Sequence, residues 1–228
     1  MHLIILTALL LLLALVPSLW VKLIMKRHAT ERADIDGTGG ELAIHLLKRF
    51  DLENVIVEET REGGDHYDTV DKAVRLSPSI YNGKSITAVA VATHEVGHAI
   101  QFGRNEVISK LRTKYLPVAS LFKKAGVLMI YVLPFVGILV RAPAAIFLFI
   151  AASLLFQLIG ALLYLIVLPE EWDASFGKAL PILEKGEYVE PQDLPAVQSV
   201  LKAAALTYFA RALGDLVNIG RWWLILRR

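Results

Sequence analysis

The stretch Ser85 to Arg104, S-I-T-A-V-A-V-A-T-H-E-V-G-H-A-I-Q-F-G-R, decides how the rest of the chain is read. It holds His94-Glu95-Val96-Gly97-His98 inside an Ala/Val-rich run that predicts a helix. Two histidines four residues apart lie on one helix face, one turn above the other. Both imidazoles then reach a single cation, and Zn²⁺ accepts neutral imidazole nitrogen readily. Glu95 follows the first ligand and lies beside the cation. There it serves as general base toward water that the metal has made acidic. Ala88 to Ala92 before the motif and Ala99-Ile100 after it predict a helix packed on most faces. Unpaired His and Glu are costly in such a place, and metal ligation satisfies them. Gly97 lowers helix propensity by about 1 kcal/mol against Ala, and it leaves room for a strand or substrate to approach.

Composition sets the environment of that helix. Of 228 residues, 55% are hydrophobic, there is no cysteine, and the mean hydropathy is +0.53. A soluble domain is usually nearer half apolar and lacks long uninterrupted apolar runs. This composition therefore predicts an integral membrane protein. Without cysteine the chain has neither disulfides nor thiolate ligands. A net charge of +2, with no interleaving of basic and aromatic residues, argues against a nucleic-acid partner.

The first apolar span runs from Leu3 to Ile24, long enough to cross a bilayer core as a helix. Its start, Met1-His2, lacks the basic residues of a secretory signal, so it reads as an uncleaved anchor. Lys22, Lys26, Arg27 and Arg32 follow it, which predicts a cytoplasmic C-terminal end. A second basic stretch, with Lys110, Arg112, Lys114, Lys123 and Lys124, leads into an apolar run that reaches Val140. Arg141-Ala142-Pro143 breaks that run before it resumes to Leu168, predicting a helical hairpin that crosses the bilayer twice. The basic entrance of the hairpin belongs on the same side as the basic exit of the first span.

Residues 29 to 84 hold the main water-facing stretch before the motif. Leu42, Ile44-His45-Leu46-Leu47 and Phe50 predict a short amphipathic helix, with His45 at its surface. Val55-Ile56-Val57 and Ala73 to Ser77 read as strands, with a turn at Gly63-Gly64. Between the strands, Asp65-His66-Tyr67-Asp68 is either a ligand cluster or a turn with self-capping Asp side chains.

The hairpin bears on the third ligand. Crossing twice returns the chain to the face it left, which brings Pro169-Glu170-Glu171-Trp172-Asp173-Ala174-Ser175 beside the histidine helix. A catalytic zinc takes three protein ligands and keeps one open position. The pattern with a third histidine is absent, because Arg104 stands in its place. A carboxylate from 170 to 173 is the best remaining choice. The same acids also suit a helix N-terminus, where they complement its dipole.

On these residues the chain resembles the membrane-bound neutral zinc metallopeptidases of the YugP type. The resemblance rests on D-H-Y-D before V-R-L-S, on S-I-T-A-V-A-V-A-T-H-E-V-G-H-A-I-Q, on L-P-E-E-W-D-A-S after the hairpin, and on A-A-A-L-T-Y. More distantly it is similar to the CAAX prenyl protease superfamily, where a Glu after a membrane hairpin is the third zinc ligand. The resemblance implies His94, His98 and Glu171 as zinc ligands and Glu95 as base. Glu171 matches because an aromatic residue and then Asp-Ala-Ser follow it. The distant superfamily often has an acid four residues beyond the ligand, where this chain has Ser175; Asp173 is then a candidate to support a ligating histidine. The resemblance also makes Lys72 to Ser77 the edge that receives an extended peptide.

Near the C-terminus, Arg211, Asp215 and Asn218 form a polar stripe on an apolar helix, and Trp222-Trp223 and Arg227-Arg228 read as interfacial anchors. Tyr208 is either an oxyanion donor or a core tyrosine.

The expected architecture is a mainly α membrane protein with about three to four transmembrane helices and a small α+β, gluzincin-like catalytic part. Its expected divisions are an anchor (1–25), a zinc-binding catalytic region (29–115), a transmembrane hairpin (116–168), and a third-ligand helix with a membrane-associated C-terminal helix (169–228). The expected activity is zinc-dependent endopeptidase hydrolysis on the cytoplasmic side of the cell membrane. Expected partners are a peptide or protein substrate and the lipid bilayer. A site-2-type intramembrane protease is a weaker reading, since Leu213-Gly214-Asp215 is a poor match for its second motif. A non-catalytic zinc-binding membrane adaptor is the alternative outside enzymes.

Overall fold

The computed structural model describes residues 2–140 and 142–210, and side chains from residue 15 onward except Pro143. In chain order the elements begin with α1 (His2–Arg27), α2 (Gly39–Arg49), β1 (Ile56–Glu59), β2 (His66–Asp68) and β3 (Ala73–Leu76). They continue through α3 (Pro78–Tyr81), α4 (Ile86–Gly103), α5 (Ser109–Val140), α6 (Pro143–Leu165) and α7 (Leu168–Trp172). A π-helical segment (Asp173–Ala179) then leads into α8 (Leu180–Lys185), followed by α9 (Leu194–Ala205). Arg141 and the C-terminal Arg211, Asp215, Asn218, Trp222-Trp223 and Arg227-Arg228 lie outside the described residues.

Two compact units share the chain. One gathers Trp20–Lys110 and Pro169–Thr207; the other contains Leu111–Leu168 with the described residues 2–19 and 208–210.

The first unit is built around α4. Ser85 caps it, its hydroxyl accepting the Ala88 N–H at 3.1 Å. Every residue from Ile86 to Gln101 is buried, so the helix is covered all round, as its Ala/Val composition predicts. Helices α2 and α9, the π segment and the sheet supply that cover. Leu46, Leu76, Ile100, Leu183 and Leu201 are fully buried in the shared core; cutting one to Ala costs about 2–5 kcal/mol. A reciprocal capping box between Thr38 and Glu41 starts α2. Its first residue, Gly39, lies against α3, where an added Cβ meets the Ile80 carbonyl oxygen at 2.3 Å.

The sheet differs from expectation in two respects. Asp65 to Asp68 is not simply a turn, since His66–Asp68 forms β2, antiparallel to β3. The strand order is β1-β3-β2, with β1 parallel to β3. β3 is therefore central, and the expectation that 72–77 presents a free edge is corrected. Its N–H and C=O groups are already shared between two neighbours, and only β1 and β2 keep open edges. Arg75 pins the three strands by pairing with Glu58, Asp68 and Asp71.

In the second unit, α5 and α6 form the expected hairpin. Ser153 donates to the Gly126 carbonyl at 2.6 Å, and the rings of Phe122 and Phe156 meet edge to face at 5.4 Å. Small residues that let backbones approach, tied by a hydroxyl, are the usual glue between helices in lipid. Leu121, Leu128, Phe135, Leu139, Phe147 and Leu148 all point outward and exposed. Among the described residues, Ser109–Val140 and Ala144–Lys185 are long and apolar enough to cross a membrane. Tyr208 packs in this unit, its ring 6.2 Å from that of Tyr164 and beneath the Arg112 guanidinium.

Candidate metal centre

His94 and His98 stand one turn apart on α4, their rings 4.7 Å apart and nearly perpendicular. Nε2 of each lies 3.3 Å from the same carboxylate oxygen, Oε2 of Glu171. The three residues are buried, and one ligand atom from each lies within 4.8 Å of the others. Ligands about 2.0–2.1 Å from a tetrahedral zinc lie about 3.3 Å from one another. The separations to Glu171 fit that tetrahedron.

The outer nitrogens decide what the inner ones can do. Ser175 Oγ donates to the Leu201 carbonyl at 3.0 Å, so it accepts from Nδ1–H of His94, also at 3.0 Å. Gln101 gives its amide protons to the Glu170 carbonyl and to Asp173, at 3.0 and 2.8 Å. Its oxygen is thereby turned toward Nδ1 of His98 at 3.0 Å, where it accepts a proton. Both neutral histidines thus carry their proton on Nδ1 and aim an Nε2 lone pair at a carboxylate oxygen. Three acceptors facing one another need a cation between them. Zinc satisfies all three; otherwise protonated imidazole must.

A π segment brings the supports into place. Glu171 and Ser175, four residues apart, both address the histidines. On a regular helix Asp173 would face away from them. The wider π turn instead lets Asp173 reach Gln101 and, five residues on, Lys178 at 2.9 Å. Lys178 also pairs with Glu106 at 3.1 Å. Asp173 therefore supports His98 through Gln101 rather than directly.

Gly97 has a different neighbour from the one its position suggested. A Cβ there meets the Ala174 carbonyl oxygen at 2.7 Å, so the gap admits the π segment rather than a strand or substrate.

Glu95 is 7% exposed and makes no hydrogen bond or ion pair with the described residues. Its charge, together with burial as the larger cause, raises the pKa of Asp65 above the usual carboxylate value. Asp65 accepts the Ser77 N–H and hydroxyl at 2.7 and 2.8 Å.

The other candidates have structural partners. His66 Nδ1 lies 2.7 Å from the Gly64 carbonyl, and Asp68 accepts the N–H groups of Val70 and Asp71. The Asp65–Asp68 cluster is thus occupied with strand and turn bonds, and the only metal-holding group among the described residues is His94, His98 and Glu171. His45 is exposed and bonds to the Tyr188 hydroxyl at 2.9 Å, as a surface residue. Gln101 went unread in the sequence, and Ser175 was noted only as standing where the distant superfamily has an acid. Their signal was positional: Gln101 lies three residues beyond His98, and Ser175 four beyond Glu171, each on the ligand's own helix face.

The family model described as "Putative neutral zinc metallopeptidase" matches residues 3–227. "Putative membrane protease YugP" of Bacillus subtilis (strain 168) is 35% identical over 206 residues, covering 90% of this chain and 88% of that protein. No solved structure matches the chain. With a buried His-His-Glu group positioned to bind a metal ion, zinc is the cofactor that family and geometry both support. The chain belongs to the neutral zinc metallopeptidase family.

Proposed function

We propose that the protein is a membrane-embedded zinc endopeptidase in which His94, His98 and Glu171 hold the metal and Glu95 is the general base. The carrying observation is the convergence of two Nε2 lone pairs on Glu171 Oε2, each at 3.3 Å, with both Nδ1 positions committed elsewhere. Zinc held there supplies Lewis acidity toward a carbonyl oxygen and makes water nucleophilic near neutral pH. Glu95 suits the remaining task because, among the described residues, no hydrogen bond or ion pair engages its carboxylate. It takes a proton from water as the water oxygen bonds to the peptide carbon. It returns that proton to the amide nitrogen as the C–N bond breaks. An extended peptide binds along the outer edge of β2, the open edge that follows Asp65, whose carboxyl feels the Glu95 charge.

Replacing Glu95 by Gln tests the assignment. The variant should retain zinc and lose hydrolysis of a peptide substrate by more than a hundredfold, within the usual span of general-base effects of about 10²–10⁴. Full activity would sink the mechanism; inactivity with zinc retained also separates an enzyme from a zinc-keeping adaptor.

The same reading places residues 29–115 in the cytoplasm and the 141–143 turn outside, on the Lys/Arg asymmetry flanking both apolar spans. Single cysteines at positions 84 and 142 of this cysteine-free chain report it through an impermeant thiol reagent on intact cells. Labelling at 84 but not at 142 would reverse the orientation.

A further inference from the structure

Beyond the metal centre, the first unit carries a cleft of about 290 Å³ lined by four cations and no carboxylate residue. Arg49, Arg104, Lys178 and Lys185 surround it, with apolar floor from Phe50 and Ile182. Their charges are not balanced in the usual way. Lys178 is paired with Asp173 and Glu106. Arg49, Arg104 and Lys185 have no carboxylate partner among the described residues. Three cations facing one cavity without counter-charge create a positive potential that an anion relieves.

The two arginines are also held in place. Arg49 donates to the Tyr188 hydroxyl at 2.8 Å and sits 5.8 Å from that ring's centroid. Arg104 lies over the Phe50 ring at 5.9 Å. The neighbouring rings restrict the motion of both guanidinium groups, while Arg104 and the N–H groups of Arg49 not given to Tyr188 stay available, which lowers the entropy lost on binding. Paired planar forks suit phosphate, which accepts two parallel N–H bonds from each. The volume is at the small end for ligand sites, enough for a phosphate and a short substituent on the apolar floor.

We propose that this cleft binds a phosphate-bearing ligand: a phosphate monoester or the phosphodiester headgroup of an anionic lipid. The cleft is linked to the metal-binding group by side-chain hydrogen bonds, since Lys178 lines it and continues through Asp173 and Gln101 to His98.

The test uses the purified full chain in a neutral detergent at fixed ionic strength, titrated by calorimetry with inorganic phosphate and with glycerol phosphate. In parallel, its thermal midpoint is compared in nanodiscs of phosphatidylcholine with and without phosphatidylglycerol. The triple variant Arg49→Gln, Arg104→Gln, Lys185→Gln should bind at least tenfold more weakly, or lose the phosphatidylglycerol response. The double variant Arg49→Lys, Arg104→Lys should keep part of it, so lost charge is distinguished from a disturbed fold. Saturable binding of soluble phosphate identifies a phosphate ester; a response confined to phosphatidylglycerol identifies a lipid headgroup. The proposal is overturned by no saturable response in either arm, or by an equal response in the triple variant.

Discussion

The Ser175 hydroxyl lies 3.0 Å from Nδ1 of His94 and donates to the Leu201 carbonyl at 3.0 Å. This single hydroxyl thereby fixes which nitrogen of His94 keeps its proton. Ser175→Ala removes the acceptor, freeing the ring to rotate or to change tautomer. Zinc affinity should fall about 10–100-fold, the usual cost of losing such a support. Competition against a calibrated chelator measures it; unchanged affinity would show that Ser175 does not orient the ligand.

Glu171 should be the carboxylate that closes the site. After dialysis, Glu171→Ala should lose bound zinc, because its oxygen is the point on which both histidines converge. Asp173→Ala should retain zinc more weakly, since Asp173 acts through Gln101. Glu170→Ala addresses a carboxylate whose Oε1 lies 3.7 Å from Nδ1, not Nε2, of His98. Stoichiometric zinc in Glu171→Ala, with loss in either neighbour, would move the third ligand.

Gly97→Ala should separate the two halves of the site. Its new Cβ meets the Ala174 backbone oxygen at 2.7 Å, and backbone yields less readily than a side-chain tip. Overpacking of this kind costs about 1–3 kcal/mol, here with weaker zinc binding as Glu171 is pushed outward. Gly137→Ala is the control, since its Cβ meets only Ile146 Cδ1, at 3.8 Å. Equal thermal midpoints and equal zinc content in the two variants would refute the close-approach argument.

Asp65 predicts a pH dependence in the metal-free protein. Burial and the Glu95 charge raise its pKa on folding. As pH climbs past the ordinary carboxylate value near 3.9, the unfolded chain ionises first and the folded state holds more protons. Stability therefore falls with rising pH until the folded value is passed. Asp65→Asn keeps an oxygen for the Ser77 N–H and hydroxyl but cannot ionise. Its thermal midpoint should fall less steeply across the weakly acidic range. An identical slope in both proteins would remove Asp65 as the cause.

Much of the centre was legible because helix geometry is local. The pairing of His94 with His98 follows from a four-residue spacing, and burial of α4 follows from its Ala/Val composition. Glu171 needed the hairpin and the family resemblance, since three acids crowd one short stretch. Strand order was not legible: β1 and β3 look alike in sequence, and nothing local says that β3 lies between its predecessors. β2 is three residues long, too short for an alternating pattern to separate it from a turn. The roles of Gln101 and Ser175 escaped because they depend on what lies opposite, the π segment for one and α4 for the other. The π turn itself breaks the periodicity from which facing residues are read.

His98 and Glu171 are 73 residues apart, and α5 and α6 occupy the chain between them. A nascent chain leaves the ribosome with its histidines long before the acid that completes their cage. By the time Glu171 emerges, both apolar helices have already been synthesised. The order of translation thus leaves the metal-binding group open until the hairpin has been made: a half-made chain holds two histidines without the acid that completes their set.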